Sequence, residues 1–456
     1  MFDLTRHLDS VMPVALEGSV VRTVGLTAAV AGFPAPIGAV VEIERVSGEP
    51  IEAEVIGFRD DLTLVYPFGD VQGVRSGNRV RLARTKSLLR VGPEMLGRVF
   101  NAQGVAIDGR PQPTMSDRAA LDRRPPNAIE RPRIDAPLTT GIRALDGMLP
   151  CGKGQRMGIF AGSGVGKSVT LGMMARYTSA QVNVIALIGE RGREVNEFIE
   201  RDLGPQGLAK SVVVVATSDE PALLRTRAAH AATSIAECFR DQGNDVLLIM
   251  DSLTRFALAQ REIGLAAGEP PTTRGFPPSV FAMLPKLVER AGRAATGSIT
   301  AFYSVLVEAD DPNEPIGDCV RGLLDGHTWL SRRLASRAHY PAIDVLESIS
   351  RLASEVASRE HREAMNVVRE LLAVYREHED VISIGAYRRG ANRAVDVSLE
   401  MLDEINRFLK QRVDESCTHV SAREAVIGLA SRAASKLQQR ASQPAAAPAM
   451  AVGGAA

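Results

Sequence analysis

MGIFAGSGVGKSVTL, residues Met157 to Leu171, joins a short apolar run, a loop of small residues and the start of a helical pattern. The apolar run predicts a buried strand. The loop carries Gly162, Gly164 and Gly166, and because glycine has no Cβ, the backbone N–H groups can turn inward around phosphate oxygens. Strand, glycine-rich loop and helix in this order predict a P-loop, with Ala161 in place of its first glycine.

The loop predicts a nucleotide-binding site at a helix N-terminus, where unpaired N–H groups and the helix dipole favour an anion. The residues predicted to surround the phosphates are Ala161, Gly162, Ser163, Gly164, Val165, Gly166, Lys167 and Ser168. Lys167 would bring a positive charge to the β- and γ-phosphates, and the Ser168 hydroxyl would be a ligand of Mg²⁺. A plain glycine-rich turn before an ordinary helix is the alternative, and the Gly-Lys-Ser order disfavours it.

Residues 138–350 alternate between apolar runs of strand length and segments of helical periodicity. Strands are predicted at Met157–Phe160, Val182–Ile188, Val212–Ala216, Val246–Met250 and Ser298–Val305. Helices are predicted at Lys167–Thr178, Pro221–Gln242 and Pro278–Ala291. This alternation predicts a doubly wound parallel sheet, in which ligands bind at the carboxyl ends of the strands.

Acidic residues follow two of these strands. Asp251 ends the run Val246–Met250, a strand that we place next to the P-loop strand, and is predicted to hold Mg²⁺. Glu190 follows the run Val182–Ile188 and would either polarise a water for attack on the γ-phosphate or cap the next helix. The spacing alone leaves both roles open. Arg191 and Arg255 could belong to the site or form surface ion pairs.

Composition argues against several classes of protein. The 456 residues include 54 Lys and Arg and 54 Asp and Glu, a balance that does not favour a coat for nucleic acid or acidic membrane. The four cysteines form no CxxC pair, so no zinc or redox framework is expected. Neither a signal peptide nor an apolar run of 18 residues is evident, and we expect a cytoplasmic protein.

The chain divides into five predicted segments: a short N-terminal segment 1–17, a β-barrel 18–95, a P-loop ATPase domain 96–350, a helical domain 351–440 and a disordered tail 441–456. Barrel strands are predicted at Ser19–Val24, Ala39–Ile43, Glu52–Gly57, Thr63–Val65 and Arg79–Ala83. A strand, a turn and a second strand are expected across residues 96–109. In the helical domain, an apolar stripe is expected to pack in the core or to contact a partner; its members are Val395, Leu399, Leu402, Ile405, Leu409 and Val413.

Four long motifs resemble the type III export ATPase family, and its flagellar branch in particular: AGSGVGKS, IGERGREV, LLIMDSLTRFALAQREIGLAAGEPPTTRGFPPSVFAMLPKLVERAG and HYPAIDVLESISR. The resemblance covers about residues 20–410, and the catalytic β subunit of rotary ATP synthases is more distantly similar. It implies an α/β fold: a P-loop NTPase core of the RecA/F1 type, an N-terminal β-barrel and a C-terminal helical domain. It also implies that ATP and Mg²⁺ are bound.

The resemblance assigns roles to the candidate residues. It makes Lys167 and Ser168 contacts of phosphate and Mg²⁺, Asp251 the Walker B carboxylate and Glu190 the general base. It places Arg191 and Arg255 in the network around the γ-phosphate.

Two further assignments come from the last motif. Tyr340 would stack on adenine, although its pattern alone favours a core residue. Arg351 matches an arginine finger that reaches the site of the adjacent subunit, although its pattern alone favours a solvated side chain.

The family also implies partners: a six-subunit ring, a coiled-coil stalk protein, a regulator that binds the N-terminal segment, export chaperones and an export gate. No specific nucleic acid is implied, and contact with the inner membrane would be peripheral. If Arg351 acts on a neighbour, every subunit carries both Glu190 and a finger, which fits a homomeric head-to-tail ring.

Three alternative functions stay open: an injectisome secretion ATPase, a rotary ATP synthase subunit and a ring-shaped RNA helicase. The N-terminal segment is short, which weakens the expectation of a regulator there. The segment Arg376–Asp380, REHED, is the nearest approach to the acidic torque-transmitting run of the ATP synthase β subunit.

Overall fold

The computed structural model describes residues 16–307 and 314–441. The predicted N-terminal segment and C-terminal tail lie outside these ranges, except for residues 16, 17 and 441. The regulator contact expected at the N-terminal segment and the disorder expected of the tail therefore concern residues outside the described ranges.

The strands of the described residues are β1 Glu17–Val24, β2 Thr27–Ala31, β3 Val40–Ile43, β4 Ile51–Arg59, β5 Leu62–Pro67, β6 Arg79–Arg84, β7 Leu88–Val91, β8 Arg98–Asn101, β9 Asp117–Ala120, β10 Pro137–Leu138, β11 Cys151–Gly152, β12 Arg156–Ala161, β13 Val182–Glu190, β14 Ser211–Thr217, β15 Asp245–Asp251, β16 Gly292–Arg293, β17 Ser298–Leu306, β18 Gly326–Leu330 and β19 Ile343–Ser350.

The α-helices are α1 Arg143–Met148, α2 Lys167–Tyr177, α3 Gly192–Glu197, α4 Gly204–Ala209, α5 Ala222–Asp241, α6 Leu253–Ala267, α7 Pro278–Val288, α8 Pro315–Leu323, α9 Arg332–Ser336, α10 Ala353–Val356, α11 Arg359–Ser383, α12 Arg393–Leu409 and α13 His419–Ala441. A π-helical turn, Phe198–Leu203, joins α3 to α4. Single 3₁₀ turns occupy Pro93–Met95, Ala128–Glu130 and Thr273–Gly275.

The predicted barrel is confirmed as a closed sheet of six antiparallel strands in the order β1-β2-β5-β4-β3-β6, with β6 returning to β1. Alternate residues of β4 point into the barrel, and Ile51, Ala53 and Val55 are buried in its core. Strand β2 was missed because its sequence, TAAVA, is rich in alanine and does not alternate between apolar and polar residues.

The central sheet has nine strands, and its main path runs β19-β18-β12-β17-β15-β13-β14-β8. Seven of these eight strands are parallel, whereas β19 is antiparallel to β18. The P-loop strand β12 lies between β17 and β18. Our placement of the strand ending in Asp251 next to it was wrong, because β17 separates β15 from β12. Crossover connections let later strands insert between earlier ones, so chain order does not reveal the neighbours.

Strand β13 shows how the sheet is buried. Val184, Ala186 and Ile188 face a layer containing α5, α6 and α7, whereas Ile185 and Leu187 face a layer containing α2 and the C-terminal helices. Both faces of a parallel sheet are covered by helices, so its strands are almost continuously apolar.

The expected strand pair across residues 96–109 was only half right. Strand β8 joins the edge of the main sheet beside β14, and its contact with the returning chain is a single bridge between Phe100 and Ala106. Asp108 is instead held by the Arg98 guanidinium, with Nε and Oδ2 2.6 Å apart. The backbone contact is limited to two hydrogen bonds, from the Asn101 N–H to the Val105 carbonyl and from the Ile107 N–H to the Val99 carbonyl.

The C-terminal helices α11, α12 and α13 pack on one another and on α1. Ile405 and Leu409 of the predicted stripe are buried in the same core as the nucleotide-domain residues, and Val395 is also buried, so these members serve core packing. Val413 lies beyond the end of α12 and is exposed, so its inclusion in the stripe was wrong.

Candidate nucleotide site

The loop after β12 has the backbone shape that an anion cradle requires. Gly164 and Gly166 have φ values of 78° and 88°, a region that favours glycine, and α2 begins directly afterwards at Lys167. A Cβ added at Gly164 would meet no atom within 4 Å, because the loop faces an open cleft of about 730 Å³. The cleft is lined by Ala161, Gly162, Ser163, Gly164, Gly166, Lys167 and Ser168 from the loop and by residues that follow β13 and β15. Val165 of the predicted set is buried.

Lys167 joins the two predicted acidic residues at the mouth of the loop. Its Nζ donates a hydrogen bond to Asp251 Oδ1 and lies 3.8 Å from Glu190 Oε1. Ser304 Oγ of β17 donates to the same Asp251 oxygen at 2.6 Å. The Asp251 side chain is only 3% exposed, so the ammonium supplies the positive charge that a buried carboxylate needs.

A break in strand pairing positions Glu190. The register between β13 and β14 shifts between Ile188 and Glu190, and Gly189 at this point has a φ of 69°. The shift turns the Glu190 carboxylate into the cleft beside Ser168. Burial and the neighbouring Asp251 charge raise the pKa of Glu190 to about 7, against the opposing effect of Lys167. This pKa suits a group that accepts a proton near neutral pH.

The two predicted arginines line the cleft in different ways. The Arg255 side chain packs along Gly189, where an added Cβ would lie 3.1 Å from Arg255 Cβ. Its Nε is buried without a hydrogen-bond partner among the described residues, which fits a group that awaits an anionic ligand. The Arg191 side chain is 80% exposed and lies 3.7 Å from Glu194.

Tyr340 lies beside the P-loop, and the expectation of a core position from its pattern alone was wrong. The residue is 47% exposed, and a Cβ added at Gly166 would lie 3.5 Å from its ring carbon Cδ1. The ring borders a cavity of about 690 Å³ that Asn406 and Lys410 at the end of α12 also line. A planar base therefore has a ring face next to the phosphate loop.

Arg351 lies at the opposite end of the sheet from the P-loop of its own chain. It follows the end of β19, where Ser350 pairs with Gly326 at the start of β18. Its amide donates to the Asp325 carbonyl at 2.9 Å, and its exposed guanidinium reaches the Arg321 carbonyl at 3.5 Å.

Comparison with known proteins identifies the family. Models described as the ATP synthase alpha/beta family match residues 20–83 for the beta-barrel domain and 141–350 for the nucleotide-binding domain, and the T3SS EscN ATPase C-terminal domain matches 357–427. A flagellum-specific ATP synthase of Bacillus subtilis is 50% identical over 87% of this chain and 91% of its own length. A type 3 secretion system ATPase of Xanthomonas euvesicatoria is 49% identical over 90% of this chain and 93% of its own length.

The chain belongs to the type III export ATPase family. The assembled ATPase EscN of enteropathogenic Escherichia coli matches this export ATPase with a TM-score of 0.86 and 44% identity, covering 91% of this chain and all of that one. EscN in complex with its central stalk EscO gives a TM-score of 0.84 at 43% identity. The fold and the P-loop ATPase class expected from the motifs are confirmed.

Several residues in or directly behind the cleft of this export ATPase were missed from the sequence: Thr254, Arg201, Asp202 and Arg332 line it, and Ser304 lies behind Asp251. Ser304 is a small polar residue inside an apolar strand, and it meets Asp251 only because β17 pairs with β15. No local pattern signals that pairing. The glycine before Glu190 was a visible signal, since a left-handed residue at a strand end redirects the next side chain.

The donor set fits Mg²⁺ bound together with a nucleotide. Among residues 16–307 and 314–441 no group of three or more His, Cys, Asp or Glu side chains forms a self-sufficient metal cage. Mg²⁺ commonly takes one or two protein oxygens and completes its shell with water and substrate phosphates. The Ser168 hydroxyl and the Asp251 carboxylate, which pairs with Lys167, are such a pair.

No helix within the described part of this export ATPase is long and apolar enough to cross a membrane.

Proposed function

We propose that this export ATPase binds Mg-ATP in the cleft described above and hydrolyses it at the interfaces of a homomeric ring, energising protein export by a type III apparatus. The observation that carries the proposal is the meeting of Lys167, Asp251 and Glu190 at the mouth of a P-loop. One lysine balances two carboxylates there, and the arriving phosphates and cation would redistribute these charges.

The chain's own groups divide the work of hydrolysis. The loop amides and Lys167 hold the β- and γ-phosphates, and bound Mg²⁺ would supply further positive charge to those oxygens. Glu190 orients the attacking water and accepts its proton. Arg255, with its unpartnered Nε, faces the charge that develops on the γ-phosphate. Tyr340 offers its exposed ring to the adenine.

Arg351 completes the site of a neighbouring subunit. Its guanidinium is exposed at the opposite end of the sheet from its own P-loop, so a head-to-tail contact would bring it to the next chain's γ-phosphate. Such a contact is heterologous, and a closed rotation of it makes a ring, for which we propose six subunits. The assembled state of EscN supports this proposal.

The remaining partners follow from the family. A central stalk protein, as in the EscN–EscO complex, would enter the ring. A regulator would bind the N-terminal segment, and export chaperones and the export gate would deliver cargo. The protein would be cytoplasmic and peripheral to the inner membrane at the export apparatus.

We propose that the protein works in the flagellar export apparatus. Relatives with the flagellar name are 46–52% identical and relatives named type 3 secretion system ATPases are 46–50% identical, so identity favours flagellar export by a narrow margin. Injectisome export is therefore the second candidate. The relatives named above do not favour a rotary synthase subunit or an RNA helicase.

The test has two parts. Purified wild-type protein should hydrolyse ATP only with Mg²⁺ present and without stimulation by RNA, and Lys167→Ala should be inactive. Deletion of the gene in its own host should abolish filament assembly, and Lys167→Ala should fail to restore it. Normal filaments with lost secretion of other substrates would support the injectisome instead, and activity that required RNA would contradict the proposal.

A further inference from the structure

The loop that carries Tyr340, residues 337–342, joins α9 to β19 and is held from outside by the C-terminal helices. It borders the cavity at the end of α12 on one side and the P-loop on the other. The helix α11 supplies two charged residues to its two ends, and a residue after α12 supplies a contact at its centre. We call this set of contacts the loop clamp.

Glu379 of α11 forms the first part of the loop clamp. Its Oε2 accepts from Arg333 Nη1 at 3.0 Å, and its Oε1 accepts from Arg337 Nη1 at 2.5 Å. The Glu379 side chain is 15% exposed, so the pairs are partly shielded from water and from salt. One carboxylate thus ties both α9 and the start of the loop to the C-terminal helices.

Arg376, one turn earlier on α11, forms the second part at the other end of the loop. Its Nη2 donates to both carboxylate oxygens of Asp344 at 2.7 Å, and its Nη1 donates to Glu347 Oε1 at 3.0 Å. At the centre, the backbone N–H of Gln411 donates to the Tyr340 carbonyl at 3.0 Å. The loop is therefore held at both ends and in the middle by residues from beyond position 370.

We propose that Glu379 is a positioning residue for nucleotide-base binding, because it fixes the loop that presents Tyr340 to the base. The inference rests on the proposed function, in which Tyr340 stacks on adenine. It makes base affinity depend on the placement of α11. By thermodynamic linkage, base binding then also favours the clamped placement of α11.

A purely structural ion pair would behave differently. If the ion pairs only attach the C-terminal helices to the nucleotide domain, their loss would weaken the binding of every ligand in the cleft, including a ligand without a base. If the ion pairs position Tyr340, their loss would weaken the binding only of ligands that carry a base, because the phosphates are held by the P-loop and Lys167. Comparison of ATP with tripolyphosphate therefore separates the two roles.

The experiment measures dissociation constants of Mg-ATP and Mg-tripolyphosphate by calorimetry for wild type, Glu379→Gln and Tyr340→Ala. Glu377→Gln is the matched control, since it makes the same change at an exposed position on the same helix. We expect Tyr340→Ala to weaken ATP binding by about 5- to 150-fold, in line with base stacking on an aromatic ring. Glu379→Gln should weaken ATP binding by roughly 3- to 10-fold, since the ion pairs that it removes are worth up to about 1 kcal/mol each, and tripolyphosphate binding should change by less than about twofold.

The double variant should bind ATP no more weakly than Tyr340→Ala alone, because Glu379 acts through the tyrosine. Equal weakening of both ligands by Glu379→Gln, or no effect on either, would overturn the inference while a normal effect of Tyr340→Ala leaves the proposed function standing. Unchanged ATP binding by Tyr340→Ala would overturn both. If Glu379→Gln does not fold, Arg333→Gln combined with Arg337→Gln removes the same pairs from the other side.

Discussion

Arg351 and Lys167 of one chain lie at opposite ends of the central sheet. Lys167 follows the carboxyl end of β12, where Ala161 pairs with Leu330, whereas Arg351 follows Ser350, which pairs with the first residue of β18. The eight residues of β19 span roughly 25 Å, so the two side chains cannot meet on one phosphate within one subunit.

This separation predicts complementation between two inactive variants. Lys167→Ala and Arg351→Ala should each lose ATPase activity, the latter by about 10³- to 10⁵-fold as expected for an arginine finger. In an equal mixture of the two variants, about a quarter of the subunit interfaces should combine an intact P-loop on one side with an intact Arg351 on the other and recover activity. Steady-state hydrolysis at several mixing ratios is the measurement. A mixture that assembles but stays inactive would show that Arg351 does not act between subunits.

Replacement of the proposed base should separate hydrolysis from binding. Glu190→Gln should lower single-turnover hydrolysis by about 10²- to 10⁴-fold, because no group then accepts the proton of the water. ATP binding should persist, since Lys167 keeps its partner Asp251. Glu197→Gln, an acid that pairs with Arg193 on the neighbouring helix, is the control and should stay active. Near-normal hydrolysis by Glu190→Gln would remove its assignment as the base.

Substitution of Gly189, the glycine before Glu190, should impair the enzyme as substitution of Glu190 itself does. Gly189→Ala places a Cβ 3.1 Å from Arg255 Cβ at a φ of 69°, and the left-handed backbone costs an L-residue about 1–2 kcal/mol. We expect lower stability and a reduced turnover rate, as seen by thermal unfolding and ATPase assays. Gly192→Ala is the matched control, because its Cβ would meet nothing within 4 Å. Equal behaviour of the two variants would contradict the positioning role of Gly189.

Removal of the Asp251 charge should change the metal requirement if this residue is the proposed Mg²⁺ ligand. Asp251→Asn should raise the Mg²⁺ concentration for half-maximal activity by about 10- to 100-fold, because a carboxylate that orients the metal shell is lost. A magnesium titration at saturating ATP measures this shift. Asp245→Asn, at the other end of the same strand, pairs with Lys153 and should leave the titration unchanged. An unchanged titration for Asp251→Asn would exclude it from the metal site.

His339 predicts a loss of stability in mild acid. Burial, together with the positive charge of Lys410, lowers the pKa of His339 to about 4, and its Nε2 is buried without a described partner. Between pH 6.5 and 4 the unfolded chain binds a proton that the folded chain does not, so stability falls as pH falls. As the pH falls from 6.5 to 5.5, this histidine should lower the free energy of unfolding by about 1 kcal/mol. Denaturant unfolding should show that His339→Gln loses about 1 kcal/mol less stability than wild type over this pH interval. The same dependence of stability on pH in both proteins would contradict the assignment.

Local patterns were sufficient to predict the P-loop, most strands of the central sheet and the acids that follow two of them, but not β18 or β19. Glycine and the Gly-Lys-Ser order act through the backbone of a few neighbouring residues, and apolar runs of strand length reflect burial on both faces. These effects need no knowledge of distant contacts, so Lys167, Ser168, Glu190 and Asp251 could be named as candidates from the chain alone.

The relations between elements were decided by the tertiary structure. The insertion of β17 between β12 and β15 brings Ser304 to Asp251, and the antiparallel return of β19 carries Arg351 away from the P-loop beside which Tyr340 lies. The clamp of Glu379 on the Tyr340 loop likewise joins residues about forty positions apart. Such contacts depend on strand order and helix packing, which the sum of many weak interactions selects and which no short stretch of sequence contains.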